Sequence, residues 1–354
     1  MRVAFVSLET VHHRDTEANR RFERVAGLLS ARGHDVTVYT TAWWDDYDVV
    51  REVDGVRYNA VAGSPEARRS FLFTVPFEIQ REGADVIHAA GLPPGQVRSA
   101  NMAASMVRAP LLVEWYGDRP ANPGSPHKRA LGAADRVIVP SRLVKTRVRE
   151  LGIGQDAIDV IANGIDMDLV RDASPAEDAG QIVYARRLDE GANLESLLLG
   201  LAELRTRDWS ATVIGDGPER EAYESQARDL RIFDRIDFVG ECDRQRRVEL
   251  YKGAHVFAQT ATRSVFPTEL LWALASGCVG IVEYHADSSA HELVEGRTRG
   301  FRITDPEELA DAIQEAGDLE DLTVDEDFSV YDDGQVLEQY LDRYLSLQEA
   351  KGIV

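Results

Sequence analysis

Cysteine is almost missing from this chain of 354 residues, with only Cys242 and Cys278 present. Two such cysteines make no disulfide framework and no paired metal motif, which fits a reducing compartment. No apolar run reaches the roughly 18 residues that a membrane span needs. The opening MRVAFVSLETVHHR has too short an apolar stretch for a signal peptide and is followed by charge and histidine. Lysine is also scarce: of 40 basic residues only Lys128, Lys145, Lys252 and Lys351 are lysine. Against them stand 61 acids, a net charge of −21. The acids are spread along the whole chain, so they form no acidic tail. A field of that sign disfavours nonspecific contact with nucleic acid or anionic lipid. It suits a protein kept in high salt, where screening confines self-repulsion to a few ångströms. The expectation is a salt-loving, haloarchaeal cytoplasm, with an acidic mesophile protein as the alternative.

What is present is an alternation of strands and helices. MRVAFVSL and HDVTVYTT read as strands. Between them Phe22, Val25, Ala26, Leu28 and Leu29 recur at helical spacing, capped by Asp15 or Thr16 and stopped at Gly33. That strand–helix–strand unit seeds a parallel sheet. DVIHAA, APLLVEW and DRVIVPS continue it, and RDASPAEDAG is the best linker candidate. The rhythm then restarts with QIVYAR, SATVIGDG, RIDFVG, AHVFAQT and GCVGIVEY. The expected architecture is α/β, with two doubly wound parallel-sheet (Rossmann-like) domains, residues 1–170 and 180–330. A tail helix over 334–350 carries a stripe of Val336, Leu337, Tyr340, Leu341, Tyr344 and Leu345 and is expected to pack back on the first domain. Sheets of this kind bind ligands beyond the carboxyl ends of their strands, so a cleft between the domains is the default site.

Several segments, in order, resemble the retaining glycosyltransferases of family 4, which have the two-domain GT-B fold. They are RGHDVTVYT, DVIHA, ADRVIVPS, ANGID, YARRL, VIGDGPERE, RIDFVG, AHVFAQTA and TRSVFPTELLWALASGCVG. The resemblance covers nearly the whole chain. It implies metal-free transfer of a sugar, with retention, from a nucleotide-sugar to a glycan or polyprenyl-phosphate-linked acceptor. No cofactor and no metal are expected, and contact with the inner membrane face is peripheral at most. Oligomeric state stays open. On the donor side Arg187 falls on the family's phosphate-binding arginine, a residue type whose planar fork suits phosphate oxygens. The alternative is a surface arginine beside Arg186. Gly215 and Gly217 leave a strand for a helix as close-approach or plain turn positions. Gly240 ends a strand at the height where the family holds the base, Phe266 and Thr268 open the helix beside the phosphates, and Glu292 matches a family glutamate or is a helix-start acid.

Other places depart from the pattern. The family's two glutamates, eight residues apart, fall here on Ser264 and Trp272, and its lysine on Ala192. Tyr116 stands where the family has a histidine. Trp272 offers only a donor and cannot accept from two ribose hydroxyls. Glu269 is the one carboxylate left in the stretch, and it is expected either to contact the sugar or ribose or to complement the helix dipole. In the first loop, VHHRDTEANRR, His12 is a candidate to orient or deprotonate an acceptor hydroxyl. His13, Arg20 and Arg21 are candidates on the acceptor side, with a solvated helix start as the alternative. Two rivals accompany the enzyme reading: a non-catalytic nucleotide- or glycan-binding relative, and a sugar-nucleotide epimerase, for which no compact acid–base cluster is visible.

Overall fold

The computed structural model describes residues 1–45, 49–117 and 124–352. The chain divides into two compact units, Met1–Asn163 with Gly334–Val354, and Gly164–Asp333.

The first unit holds strands β1 (Arg2–Val6), β2 (Asp35–Thr41), β3 (Val50–Val53), β4 (Val56–Ala62), β5 (Val86–Ala90), β6 (Leu111–Glu114), β7 (Arg136–Val139) and β8 (Ile158–Val160). They form one sheet in the order β3-β4-β2-β1-β5-β6-β7-β8. Every pairing is parallel except β3 with β4. The central strands are buried on both faces, which is why VAFV and VIHA read as unbroken apolar runs. Helices α1 (Glu17–Ala31), α2 (Arg68–Glu82), α3 (Pro94–Val107), α4 (Ser125–Leu131) and α5 (Arg142–Glu150) connect the strands. The α1 helix starts at Thr16, whose hydroxyl accepts from the Asn19 amide, an ordinary N-cap.

The second unit contains α6 (Met167–Asp172), β9 (Ile182–Ala185), α7 (Leu194–Glu203), β10 (Ala211–Ile214), α8 (Arg220–Asp229), β11 (Ile236–Gly240), α9 (Arg244–Gly253) and β12 (Val256–Gln259). It continues with β13 (Arg263–Ser264), α10 (Thr268–Ala275), β14 (Val279–Glu283), β15 (Asp287–Ser288), α11 (His291–Val294), β16 (Gly300–Ile303) and α12 (Pro306–Ala316). Its main sheet runs β11-β10-β9-β12-β14-β16, all parallel. Counted within the unit this is the order 3-2-1-4-5-6, with the direction of winding reversing between β9 and β12. Ligands of such sheets bind where the order reverses, beyond the carboxyl ends of the strands.

A last helix, α13 (Asp333–Ala350), packs on the first unit. Val336, Leu337, Tyr340, Leu341, Tyr344 and Leu347 join one core with Phe22, Val25 and Leu29 of α1 and with Phe5 of β1. At about 1.5–3 kcal/mol per buried side chain this contact stabilises by on the order of 10 kcal/mol, an upper estimate. Leu345, expected in the stripe, points outward, and Leu347 takes its place.

Candidate functional site

Three loops meet at the carboxyl ends of β9, β10 and β11. The Arg186 amide donates to Ile214 O at 3.0 Å, Leu188 N to Asp216 O at 2.9 Å, and Gly215 N to Gly240 O at 2.8 Å. Gly215 has φ +124°, and a Cβ there would lie 2.1 Å from Arg186 O. A Cβ on Gly217 would lie 2.2 Å from Leu188 O. These glycines therefore let one loop lie directly on the next, and their close approach is to backbone. Gly240, at φ +76°, closes the third loop next to Arg220. On this stitched platform Arg186 is braced, its Nη1 donating to Arg263 O at 2.9 Å. Arg187 is exposed, and among the described residues no hydrogen bond or ion pair holds its guanidinium. Its charge is available to a ligand.

Between β9, β12 and β14 the crevice floor is polar. Asn193, the cap of α7, sits in the left-handed region at φ +50°, uncommon for any residue but glycine. Its amide donates to Thr260 O at 2.9 Å and to Glu283 Oε2 at 3.3 Å, while Thr260 Oγ1 donates to Asn193 O at 2.7 Å. Glu283 is buried at the end of β14, with His285 Nε2 3.2 Å from its Oε1. Of its roughly four acceptor positions, one takes a hydrogen bond among the described residues, from Asn193, and the His285 ring nitrogen stands at ion-pair distance without a hydrogen bond. Glu283, Asn193 and His285 were not among the candidates from sequence. A glutamate ending the apolar strand VGIVE was the available signal.

The stretch TRSVFPTELLWALASGCVG forms β13, α10 and the start of β14. Phe266 is buried at the helix approach, and Thr268, half-buried, opens α10 with its amide on Phe266 O at 3.1 Å. Glu269 is not available to a sugar. Its Oε1 accepts from Arg244 at 2.9 Å and Arg247 at 3.0 Å, and its Oε2 from Arg244 at 2.8 Å and Tyr251 at 2.5 Å. Those four bonds fill the acceptor capacity of a carboxylate. Burial pushes this carboxyl up, yet Arg244 and Arg247 outweigh it and hold it below the usual range. Trp272 is buried, with the Arg244 guanidinium over its ring at 4.8 Å. Glu292 lies half-buried in the first turn of the four-residue α11, its amide on Ser289 O.

In the first unit a pocket of about 120 Å³ opens beside the β1–β5 reversal, lined among others by Glu9, Arg14, Asn19, Glu114, Trp115 and Tyr116. Tyr116 is buried there, and its hydroxyl accepts from Asn163 Nδ2 at 3.3 Å. His12 is exposed and stacks on Trp43 at 4.3 Å, with burial lowering its pKa. Two acceptor-side expectations need correction. His13 accepts from the Thr10 amide at 3.1 Å through Nδ1, so its Nε2 carries the proton and donates to Thr41 Oγ1 at 2.9 Å. It staples the loop. Arg21 is 6% exposed and points into the core, bonded to Glu114, Asn163, Ile161 O and Tyr340 OH at 2.6–2.7 Å. Burial alone would push Glu114 up, but Arg21 and His88 hold it at about 2. A guanidinium with these partners cannot reach a phosphate. Arg20 is exposed and already forked onto Asp15 at 2.5 and 2.6 Å, with Glu17 at 3.1 Å. Among the described residues no three or more His, Cys, Asp or Glu side chains are grouped to hold a metal ion, and no helix is long and apolar enough to cross a membrane.

Comparison with known proteins adds three findings. Residues 18–169 match the family model described as Glycosyltransferase Family 4, and residues 167–327 match Glycosyl transferases group 1. The lipopolysaccharide 1,6-galactosyltransferase of Salmonella typhimurium is 29% identical over 156 residues, 43% of each chain. That of Escherichia coli K12 is 29% identical over 117 residues, 32% of each. The chain thus matches only about a third to two fifths of the length of these relatives. Among solved structures, HepE of Anabaena in complex with UDP is similar with a TM-score of 0.78 and 18% identity, covering 98% of this chain and 100% of that one. A Rickettsia africae glycosyltransferase gives 0.79 and 16%, with 98% of each chain covered. The lipopolysaccharide outer core galactosyltransferase WaaB in its apo form gives 0.74 and 17%, covering 98% and 99%. The likeness to solved structures carries the fold, GT-B.

Proposed function

The chain belongs to the family-4-type glycosyltransferases, and from that premise we propose that it transfers a hexosyl group from a nucleotide-sugar to a glycan or lipid-linked acceptor without a metal ion. The observation that carries the reading is the β9–β12 reversal, where an unpaired arginine stands on a glycine-packed platform beside a polar floor. Arg187 would take a diphosphate oxygen and stabilise the charge that develops on the leaving nucleotide. Glu283 would accept from a sugar hydroxyl, because it is the carboxylate of this crevice with acceptor positions to spare. A uridine nucleotide as donor is supported by the likeness to HepE, solved with UDP and with UDP-glucose. Tyr116 and His12 are the acceptor-side groups of this reading.

A second reading, a nucleotide-sugar-binding relative without transfer, is favoured by one observation: neither family glutamate position carries an acid, and Glu269 is fully engaged. Titration of the full chain with UDP-hexoses, followed by an assay for released UDP with and without glycan acceptors, separates the two. Binding with turnover supports the enzyme, and binding without turnover supports the second reading. No binding of any nucleotide-sugar refutes both. Arg187→Ala should weaken UDP binding by about 1.5–3 kcal/mol, the scale of a charge-assisted hydrogen bond. Unchanged affinity would return Arg187 to the solvent-exposed surface.

A further inference from the structure

Glu23, in the second turn of α1, is a half-buried acid that makes no ion pair among the described residues. A carboxyl withdrawn from water is ordinarily paired with a cation, so its other partners have to explain its presence. Tyr58 Oη of β4 donates to its Oε1 at 3.4 Å. The Val11 amide and the Thr10 hydroxyl, both in the loop after β1, face the same carboxyl and favour its charged form, as Tyr58 does. Glu23 therefore lies beneath the loop 10–13 and is met by donors from two elements.

That loop carries His12 outward. The exposed His12 ring stacks on Trp43 with centroids 4.3 Å apart and an interplanar angle of 13°. The Tyr58 ring meets both edge-on, 5.7 Å from His12 and 4.8 Å from Trp43. Tyr58 thus reaches Glu23 with its hydroxyl and the His12–Trp43 stack with its ring. Few charges surround the group. Asp15, ahead of α1, repels it but is itself forked onto Arg20. Asp54, in the turn between β3 and β4, acts on Tyr58 and His12, and β2 joins the same core through the uncharged Val36 and Val38. Burial outweighs the donors and pushes the Glu23 carboxyl up to about 7, so its charge changes in the neutral range.

We propose that Glu23 is the positioning residue of His12: its carboxylate gathers the Val11 amide and the Thr10 and Tyr58 hydroxyls, holding loop and imidazole in place, and protonation loosens that hold. A charged acceptor strengthens each bond, whereas a neutral acid gives part of its acceptor capacity to its own proton. Local order in the loop therefore rises with pH through the neutral range. The whole fold loses stability over the same range, because the buried charge is costly. A carboxyl that only packed α1 would move both in the same direction. The consequence for transfer, that acceptor use follows the loop, rests on the proposed role of His12; the hold on the loop does not.

Hydrogen exchange and kinetics on the full chain test this together. Exchange over residues 9–14, corrected for intrinsic rate, should slow by roughly fivefold or more between pH 6 and pH 8 in wild type. In Glu23→Gln, which keeps one acceptor oxygen and cannot ionise, that step should vanish. Acceptor kcat/KM in UDP-hexose transfer should rise through about pH 7 in wild type and lose that limb in the variant, with KM for the nucleotide-sugar unchanged. Loop protection independent of pH in wild type, or a step that survives in Glu23→Gln, overturns the proposal. An acceptor kcat/KM that follows one pH curve in both proteins overturns it too, by separating the loop from His12. A step lost in the variant with no turnover of any donor upholds the hold on the loop and refutes the proposed transfer instead.

Discussion

Replacing Glu269 by glutamine is the most discriminating single perturbation of the second unit. The carboxylate accepts four bonds, from Arg244 twice, Arg247 and Tyr251. Glutamine keeps one oxygen, so two of those bonds are lost and an NH₂ group is turned toward cationic donors. Two charge-assisted bonds at about 1.5–3 kcal/mol each give a ceiling near 3–6 kcal/mol. The site is not sealed: Arg244 is 35% exposed at the side chain, Arg247 17% and Glu269 21%. Partial rehydration of Arg244 therefore lowers the expected cost to about 2–3 kcal/mol. For a unit of this size about 2–4 °C accompanies each kcal/mol, so the second unit should melt roughly 4–12 °C lower. Because the native carboxyl titrates below its unfolded value, the stabilisation is complete above about pH 4.5 and fades as pH falls through the lower native pKa. Near-UV circular dichroism melts of wild type and Glu269→Gln at pH 7 and pH 3 measure it. A melting temperature within about 1 °C of wild type, together with a tenfold loss of transfer, would refute the ion-network account and restore Glu269 as a sugar contact.

Three further outcomes follow from the same geometry. Gly215→Ala places a Cβ 2.1 Å from Arg186 O at φ +124°, and should destabilise by about 3 kcal/mol and weaken UDP binding as the β9 loop shifts, read by melt and titration. Burial pushes the Glu23 carboxyl up to about 7, so the native state holds an extra proton between its unfolded value and 7 and loses stability as pH rises through that window. Glu23→Gln should stabilise the fold at pH 8 by on the order of 1 kcal/mol, discounted for partial exposure and read as a higher melting temperature, and change little at pH 4. Arg21→Met leaves Glu114 buried without its cation and should cost about 3–5 kcal/mol in urea unfolding, with hydrogen exchange rising along α13; an unchanged midpoint would contradict the assigned network.

The order of elements was legible because each central strand is buried on both faces and each helix restarts the apolar rhythm. The ten strands read from apolar runs all stand in the two main sheets, while β3, β4, β8 and β16 escaped the reading, and of the two cap candidates, Asp15 and Thr16, the cap is Thr16. The roles of charged side chains were less so, since their partners are remote in sequence. Arg21 lies 93 residues from Glu114 and 319 from Tyr340. Its inward direction was still readable, because it stands four residues before Val25 and eight before Leu29, both in the core. Glu269 was misread for the same reason. Arg244, Arg247 and Tyr251 share one face of α9 at three- and four-residue spacing, a cationic stripe that asks for an acid without saying which one. Glu283 was missed because an acid closing a buried strand resembles a strand boundary.

The departures from the family pattern then form one coupled set. Trp272 stands where the resemblance places the ribose-holding glutamate, and its ring supports the Arg244 guanidinium. Arg244 in turn takes both oxygens of Glu269, whose remaining positions go to Arg247 and Tyr251. A glutamate at 272 would set a second carboxylate near Glu269 and compete for the same guanidinium, so tryptophan at that place and the Glu269 network belong together. Acceptor capacity of the kind absent from α10 is present at Glu283, at the end of β14, which takes one hydrogen bond, from Asn193, with His285 at ion-pair distance. Burying a carboxylate so sparsely paired is costly unless something else bonds to it. On the proposed function a sugar hydroxyl would meet that need with a donor and no added negative charge, which would put donor selectivity at the β9–β12 reversal and not at the first turn of α10.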